Sequence, residues 1–395
     1  MRATVGRTLR RWIAAAVGGV AIAAAAASSL PPLPALGLAA DAVTVSGLSS
    51  GGYMAGQFHV GFSAALAGAA VLAAGPYGCS RGSVAAAMYH CSCPANPGAL
   101  ARWRNRIPGA GCTVLAPGVL AVFADSALAA NQTEVDDPKH LAGQRVWLFS
   151  GGRDEVVRPA LVDAMADFYR RHGVDPARLH LERVADAAHG LPVPGAPVAC
   201  GRTASPYLNR CPVPAAGEVD APGQLLAWLY GAVPGQDLQP AVAPRAAGLR
   251  RFSQQAYRQA GEFDGLDDSG WLYVPADCEV QASGCRLHVV FHGCQQGQRA
   301  SGPARRPIGR QFVTGAGYNR WAEANRIVVL YPQVLASAAA RTGDTYRLNP
   351  DGCWDFWGYT DADESLAGVQ RRFARRSAPQ MRAVKAMVDA LLRRP

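Results

Sequence analysis

The sequence predicts an α/β fold with a mainly parallel sheet. Two observations carry that reading: short apolar strands alternate with helical stretches from Asp41 to about Pro234, and three further β-rich runs followed by a helical face complete the second half, with no internal repeat visible. The 395 residues allow one large domain or two modest ones, with a core of useful size. A hydrophobic fraction of 49%, spread along the chain with 43 Gly and 28 Pro, indicates a loop-rich globule and excludes collagen, coiled-coil and multi-span membrane architectures.

The first element is an export signal. Arg2, Arg7, Arg10 and Arg11 precede an uncharged run from Ile13 to Ala27, followed by small residues and the cluster Pro31, Pro32, Pro34. The run is shorter than the roughly 20 residues a membrane span needs, which favours a cleaved signal peptide over an anchor. Residues 1–40 are therefore expected as signal and spacer and 41–395 as one domain, with secretion or periplasmic delivery and no stable membrane association after cleavage. Those 40 residues hold four Arg and no acid, so the net charge falls from +10 to about +6. The one Arg-dense stretch, Arg371 to Arg376, is short and reads as a solvated face, and no nucleic-acid partner is expected.

Ten cysteines in an exported chain favour disulfides. Short spacings suggest Cys200 with Cys211 and Cys278 with Cys285. A zinc site at His90, Cys91 and Cys93 lacks the Cys spacing of a structural knuckle, so no metal is expected.

Along the chain, Val43 to Val45 reads as a strand, residues 50–65 as a helix, Val119 to Phe123 as strand-like, Arg145 to Ser150 as a strand, Arg158 to Arg171 as a helix, and Leu179 to Val184 as a strand. Leu225 to Tyr230 reads as an amphipathic helix. After a Pro-, Ala- and Gly-rich surface crossing at 234–249 come runs at Trp271 to Val274, Leu287 to Phe291 and Ile327 to Tyr331. Met381, Val384, Met387, Val388, Leu391 and Leu392 then mark one face of a terminal helix.

Gly47-Leu48-Ser49-Ser50-Gly51 lies at the junction of the first strand and helix. At such a junction G-x-S-x-G forms a nucleophile elbow, whose glycines permit a sharp turn that lifts the serine hydroxyl out. A serine needs a base and an orienting carboxylate. His189, in the loop after the strand at 179–184, and Asp154, after the strand at 145–150, fill those roles in the order Ser, Asp, His. Glu155 or Asp186, and His172 or His180, are the alternatives. The Ser50 amide supplies one oxyanion donor. The segment that should supply the second, Phe291-His292-Gly293-Cys294, follows the serine instead of preceding it. Placing the second half before the first restores the usual order, so the fold expected is a circularly permuted α/β-hydrolase in a single, disulfide-containing domain.

The chain resembles the poly(3-hydroxybutyrate) depolymerases of the permuted catalytic type. The carriers are the elbow with Gly52, Tyr53 and Met54, residues 285–297 around His292-Gly293-Cys294, residues 316–322 and 327–333, and Asn349-Pro350-Asp351-Gly352-Cys353-Trp354-Asp355-Phe356-Trp357-Gly358-Tyr359. The resemblance implies Ser49 as nucleophile, His189 as base, Asp154 as its orienter, the amides of Ser50 and Cys294 as oxyanion hole, and Asn349 and Trp354 lining the substrate crevice. Core packing is the competing role for Trp354, Phe356 and Trp357. A Cys294–Cys353 bond is expected over a reactive thiolate in an oxidising compartment.

Phe356 stands where the family leads one to expect a second tryptophan. Many exported members add a polymer-binding domain, and the resemblance here ends at Pro395 without one. Adsorption is then expected from the catalytic domain, or the substrate is soluble oligomer or amorphous polymer. The activity implied is hydrolysis of poly(3-hydroxybutyrate) or its oligomers through an acyl-enzyme, by a monomer and without a cofactor. A feruloyl or acetyl esterase acting on polysaccharide and a non-catalytic granule-binding protein are the alternatives.

Overall fold

The computed structural model describes residues 30–93, 112–215, 217–231, 237–280, 284–302, 306–337, 347–361 and 371–395. Most of the signal region lies outside them. Eight strands build the main sheet: β1 Val43–Leu48, β2 Gly68–Leu72, β3 Arg145–Gly151, β4 Leu179–Val184, β5 Leu249–Ser253, β6 Ser269–Tyr273, β7 Arg286–Phe291 and β8 Ile327–Tyr331. Their spatial order is β5-β6-β8-β7-β1-β2-β3-β4, and only β6 runs against its two neighbours and leaves β5 and β8 antiparallel to it. Counted from β5, the order becomes 1-2-4-3-5-6-7-8, the α/β-hydrolase sheet entered at its fifth strand. The permuted fold expected from motif order is the one observed.

Helices cover both faces. Besides two five-residue helices at Ala276–Val280 and Gln311–Gly315, those among the described residues are α1 Ser50–Gly61, α2 Val84–Tyr89, α3 Pro117–Ala130, α4 Pro159–Arg171, α5 Ala221–Tyr230, α6 Tyr318–Asn325 and α7 Pro379–Leu392. β1, β2 and β8 are buried along their whole length, as parallel strands under helices on both sides must be. The strand-like run at Val119 to Phe123 is in fact part of α3. Pro117 starts that helix, and Leu120, Ala124, Ala127 and Leu128 bury one helical face while Val119 and Val122 stay exposed. The strand that does follow α1, Gly-Ala-Ala-Val-Leu, carries too few β-branched residues to announce itself.

Residues 30–40, expected as a spacer, belong to the folded body. Leu33 and Leu38 are buried, the amides of Leu36 and Gly37 donate to the carbonyls of Leu391 and Arg393, and Ser253 donates to Pro31. The end of α7 thus lies beside the segment entering β1, where a continuous helix-to-strand connection would run in the unpermuted order. The Arg371 to Arg376 stretch is not a solvated face: Arg375 donates to Asn131 at 2.6 Å, Arg376 pairs with Asp136 at 2.7 Å, and Phe373 and Ala374 are buried between them. No helix among the described residues is long and apolar enough to cross a membrane.

All ten cysteines pair: 79 with 91, 93 with 112, 200 with 211, 278 with 285, and 294 with 353. The three pairs suggested by sequence are among them, and the thiols of the zinc alternative are consumed.

Candidate active site

The parallel strands end on one edge of the sheet, and the loops leaving that edge carry Ser49 after β1, Asp154 after β3, His189 after β4 and Cys294 after β7. A parallel sheet collects functional groups at its carboxyl edge in this way. Ser49 has φ 59° and ψ −122°, a conformation unfavourable for a residue with a Cβ. It is enforced by contacts no other residue type would permit. A Cβ on Gly47 would lie 2.0 Å from the Gly51 carbonyl oxygen, and one on Gly51 would lie 2.3 Å from that of Phe291. The first turn of α1 therefore sits directly against the end of β7, which is paired with β1 through Gly47 and Phe291.

Asp154 is buried and fully engaged. Its Oδ1 accepts from the amides of Val156 and Val157 at 2.9 and 2.8 Å, and its Oδ2 lies 2.8 Å from His189 Nδ1. This fixes the ring with Nε2 as the free nitrogen. The alternatives lie elsewhere: Asp186 pairs with Arg153, His172 with Asp125, and His180 with Glu182.

The segment after β7 is held by its own histidine. His292 is buried, and burial lowers its pKa to about 4, so the ring is neutral. Nε2 accepts from the Val334 amide at 3.3 Å, leaving Nδ1 to donate to the Gly293 carbonyl at 2.8 Å. That carbonyl shares a peptide plane with the Cys294 N–H, so the imidazole orients the amide that follows it. The amides of Gly293, Gln295 and Gln296 all donate within the protein. Among the described residues those of Cys294 and Ser50 do not, and Ser50 is the first residue of α1, where a helix leaves its amides unsatisfied.

Ser49, Ser50, His189, Gly293 and Cys294 open into one cleft of about 420 Å³. Its walls include Tyr53, Val84, Met88, Val156, Tyr207, Leu348, Asn349, Asp351, Phe356 and Trp357. Trp354, expected on the crevice wall, is not among them. It is 0% exposed and packs behind the wall, edge-on to Phe291 at 4.9 Å, while its amide donates to Ser50 Oγ. The aromatic surface comes instead from Phe356, stacked on Tyr53 at 4.4 Å, and Trp357, edge-on to Phe356 at 5.0 Å. Side chains in a loop follow no fixed alternation, so sequence offered no means of choosing between them. Asn349 does reach the cleft, but its amide is occupied in closing its own loop, donating to the Cys353 carbonyl and accepting from the Cys353 amide.

Tyr207, Gln295 and Asp351 were not foreseen. Gln295 had a signal, following Cys294 directly, whereas Tyr207 lies in a Pro-rich stretch without one.

No protein-family model matches the chain. A poly(3-hydroxybutyrate) depolymerase of Delftia acidovorans is 33% identical over 383 residues, covering 96% of this chain and 66% of that protein. The chain belongs to the poly(3-hydroxybutyrate) depolymerase family. Depolymerases of this family are carboxylic ester hydrolases. A polyhydroxybutyrate depolymerase of Talaromyces funiculosus is 29% identical over 371 residues, 91% of this chain and 93% of that one. Among solved structures, the PHB depolymerase from Penicillium funiculosum has a TM-score of 0.67 at 25% identity, and a serine-to-alanine PHB depolymerase complexed with an R3HB trimer has 0.66 at 24%. Each covers 91% of this chain and 98% of the other.

Proposed function

We propose that this depolymerase-family chain is an exported serine esterase that cleaves poly(3-hydroxybutyrate) or its oligomers through an acyl-enzyme. The observation that carries the reading is the buried Asp154–His189 pair, at 2.8 Å, in one cleft with a serine on a strained elbow. His189 Nε2 takes the Ser49 proton as Oγ attacks the ester carbonyl, and Asp154 stabilises the imidazolium. The amides of Ser50 and Cys294 donate to the oxyanion, with the positive end of α1 behind the former. His189 then returns the proton to the leaving alkoxide, and water repeats the cycle on the acyl-enzyme, releasing a 3-hydroxy acid.

Phe356, Trp357, Val84 and Met88 suit the methyl groups of a short hydroxyalkanoate chain. The relatives' substrate supports the same choice, as does a trimer bound to a related chain. Five disulfides fit an oxidising compartment, and the enzyme acts as a secreted or periplasmic monomer. Clearing of a polyhydroxybutyrate suspension should vanish in Ser49→Ala, on the order of a million-fold loss in kcat. Release of ferulate or acetate from plant cell-wall fragments without clearing would move the substrate to polysaccharide esters. Clearing that survives the substitution would remove Ser49 from the chemistry.

A further inference from the structure

The base and the oxyanion donor reach Ser49 from opposite sides. β7, which delivers Cys294, is one neighbour of β1, whereas β4, which delivers His189, is the third strand away on the other side. No strand pairing connects them directly, yet catalysis needs both fixed to within a fraction of an ångström of the same carbonyl.

One loop touches both. Residues 200–211 are closed by the Cys200–Cys211 disulfide and braced internally by Asn209, whose amide donates to the carbonyls of Cys200 and Arg202 at 3.1 and 2.9 Å. On the base side, the amides of Ala188, His189 and Leu191 donate to Cys200 O, Thr203 Oγ1 and Tyr207 O. On the oxyanion side there are two ties. Gln296 accepts from the Gly293 amide at 2.6 Å and donates to the Pro206 carbonyl at 2.8 Å. Tyr207 donates to Gln295 Oε1 at 2.6 Å, and Gln295 Nε2 reaches Asp351 at 2.8 Å. Gln296 is buried, so its two bonds face little competition from water.

We propose that the 200–211 loop is a strut that sets the oxyanion donor relative to the base, with Gln296 as the positioning residue that joins it to the Gly293-Cys294 peptide. The inference rests on the esterase reading and extends it: the geometry around Ser49 depends on a disulfide-closed loop that contributes no group to the chemistry.

The test uses the full chain with a short-chain nitrophenyl ester, an alkyl boronic acid that adds to the serine as a tetrahedral adduct, and 3-hydroxybutyrate as product. Gln296→Met should lower kcat on the order of tenfold or more while KM moves less than about threefold, as expected of misplacement and not of lost binding. Boronate affinity should fall in parallel, and product inhibition should not change. Tyr207→Phe and the double variant Cys200→Ala/Cys211→Ala should each shift kcat and boronate affinity in the same direction by about threefold. The double variant matters most, because neither cysteine touches the oxyanion segment. Folded variants, judged by near-UV dichroism, whose boronate affinity matches the wild type would overturn the strut. If Gln296→Met fails to fold, the other two variants decide by the same criterion. A wild type inert toward the ester defeats the esterase reading itself, and the strut with it; an active wild type with unmoved variants defeats the strut alone.

Discussion

The floor and the wall of the cleft are built by different means. The floor, from Gly47 to Gly52 and from Phe291 to Cys294, is set by backbone packed against backbone at the ends of two paired strands. The wall, from Leu348 to Asp361, forms no helix or multi-residue strand among its described residues; backbone bonds tie Asn349 to Ser337 and Asp351 to Gln295, and side chains hold the rest. Asp355 accepts from the amides of Trp357, Gly358, Tyr359 and Thr360, Asn349 closes a loop onto Cys353, and the 294–353 disulfide ties wall to floor. Sterics among backbone atoms leave almost no tolerance, whereas a network of side-chain bonds can lose one member and persist. The floor should fail all at once, and the wall by degrees.

The sharpest way to break the comparison is Gly51→Ala. Its Cβ would lie 2.3 and 2.5 Å from two carbonyl oxygens of the β7 end, so we expect a loss of more than about 4 kcal/mol and little soluble protein. A folded, active variant in a thermal scan would show that the floor can yield.

Within the wall, two tryptophans three residues apart should separate. Trp354→Ala leaves a cavity in the core and should cost about 3 to 5 kcal/mol in urea unfolding. Trp357→Ala should cost less stability, since its ring is 8% exposed and borders the cleft, and should also raise KM several-fold on oligomers. Equal stability losses with an unchanged KM would contradict the assignment of Trp357, and not Trp354, to the cleft wall.

Opening the link between the regions comes next. Cys294→Ala/Cys353→Ala frees a closure spanning 59 positions and should cost about 3 kcal/mol while the Cys294 amide, anchored by His292 and Gln296, keeps part of the activity on small esters. Complete inactivity with an intact fold would mean that the disulfide, and not the backbone, holds the Cys294 amide in place.

The smallest expected effect is one of sign. His59 in α1 and His288 and His292 in or beside β7 are buried and neutral, their pKa values lowered by burial to about 4, 3 and 4. Their unfolded forms take a proton below about 6.5, so this contribution is complete above that pH and is lost as the pH falls toward 4. Asp361, at the end of the wall, behaves oppositely. Burial first, and then the Asp355 carboxylate, raise its pKa to about 6, so its favourable contribution is present below the ordinary carboxylate range and lost as the pH rises through 6. Chemical denaturation between pH 4.5 and 7 should show net acid destabilisation, and Asp361→Asn should gain stability at pH 7 but not at pH 4. A gain equal at both would show that titration of Asp361 is not its source.

The same division governs how much could be read in advance. The elbow was legible because its glycines, its serine and the flanking strand and helix are contiguous, and each is required by local sterics. The permutation was legible from the order of motifs alone. The wall was misread at Trp354 because a loop gives no periodicity from which to infer which ring turns inward, and Tyr207 was missed because it becomes a wall residue only through contacts with Gln295, 88 positions away. The α3 error arose similarly: Val119 and Val122 favour strand locally, and burial of Leu120, Ala124 and Leu128 overrode that preference.

By itself, the sequence determined the α/β class, the permuted order, the glycine-flanked turn at Ser49 with an acid and a histidine downstream, and the disulfide chemistry of the cysteines, because each follows from neighbours in the chain or from composition. Only the tertiary structure decided which aromatic rings face the cleft, that residues 30–40 pack against the body, and how one disulfide-closed loop reaches both His189 and the Cys294 peptide. Those facts depend on groups tens to hundreds of residues apart meeting at hydrogen-bond distance, and no local pattern encodes which of the possible meetings the packing will allow.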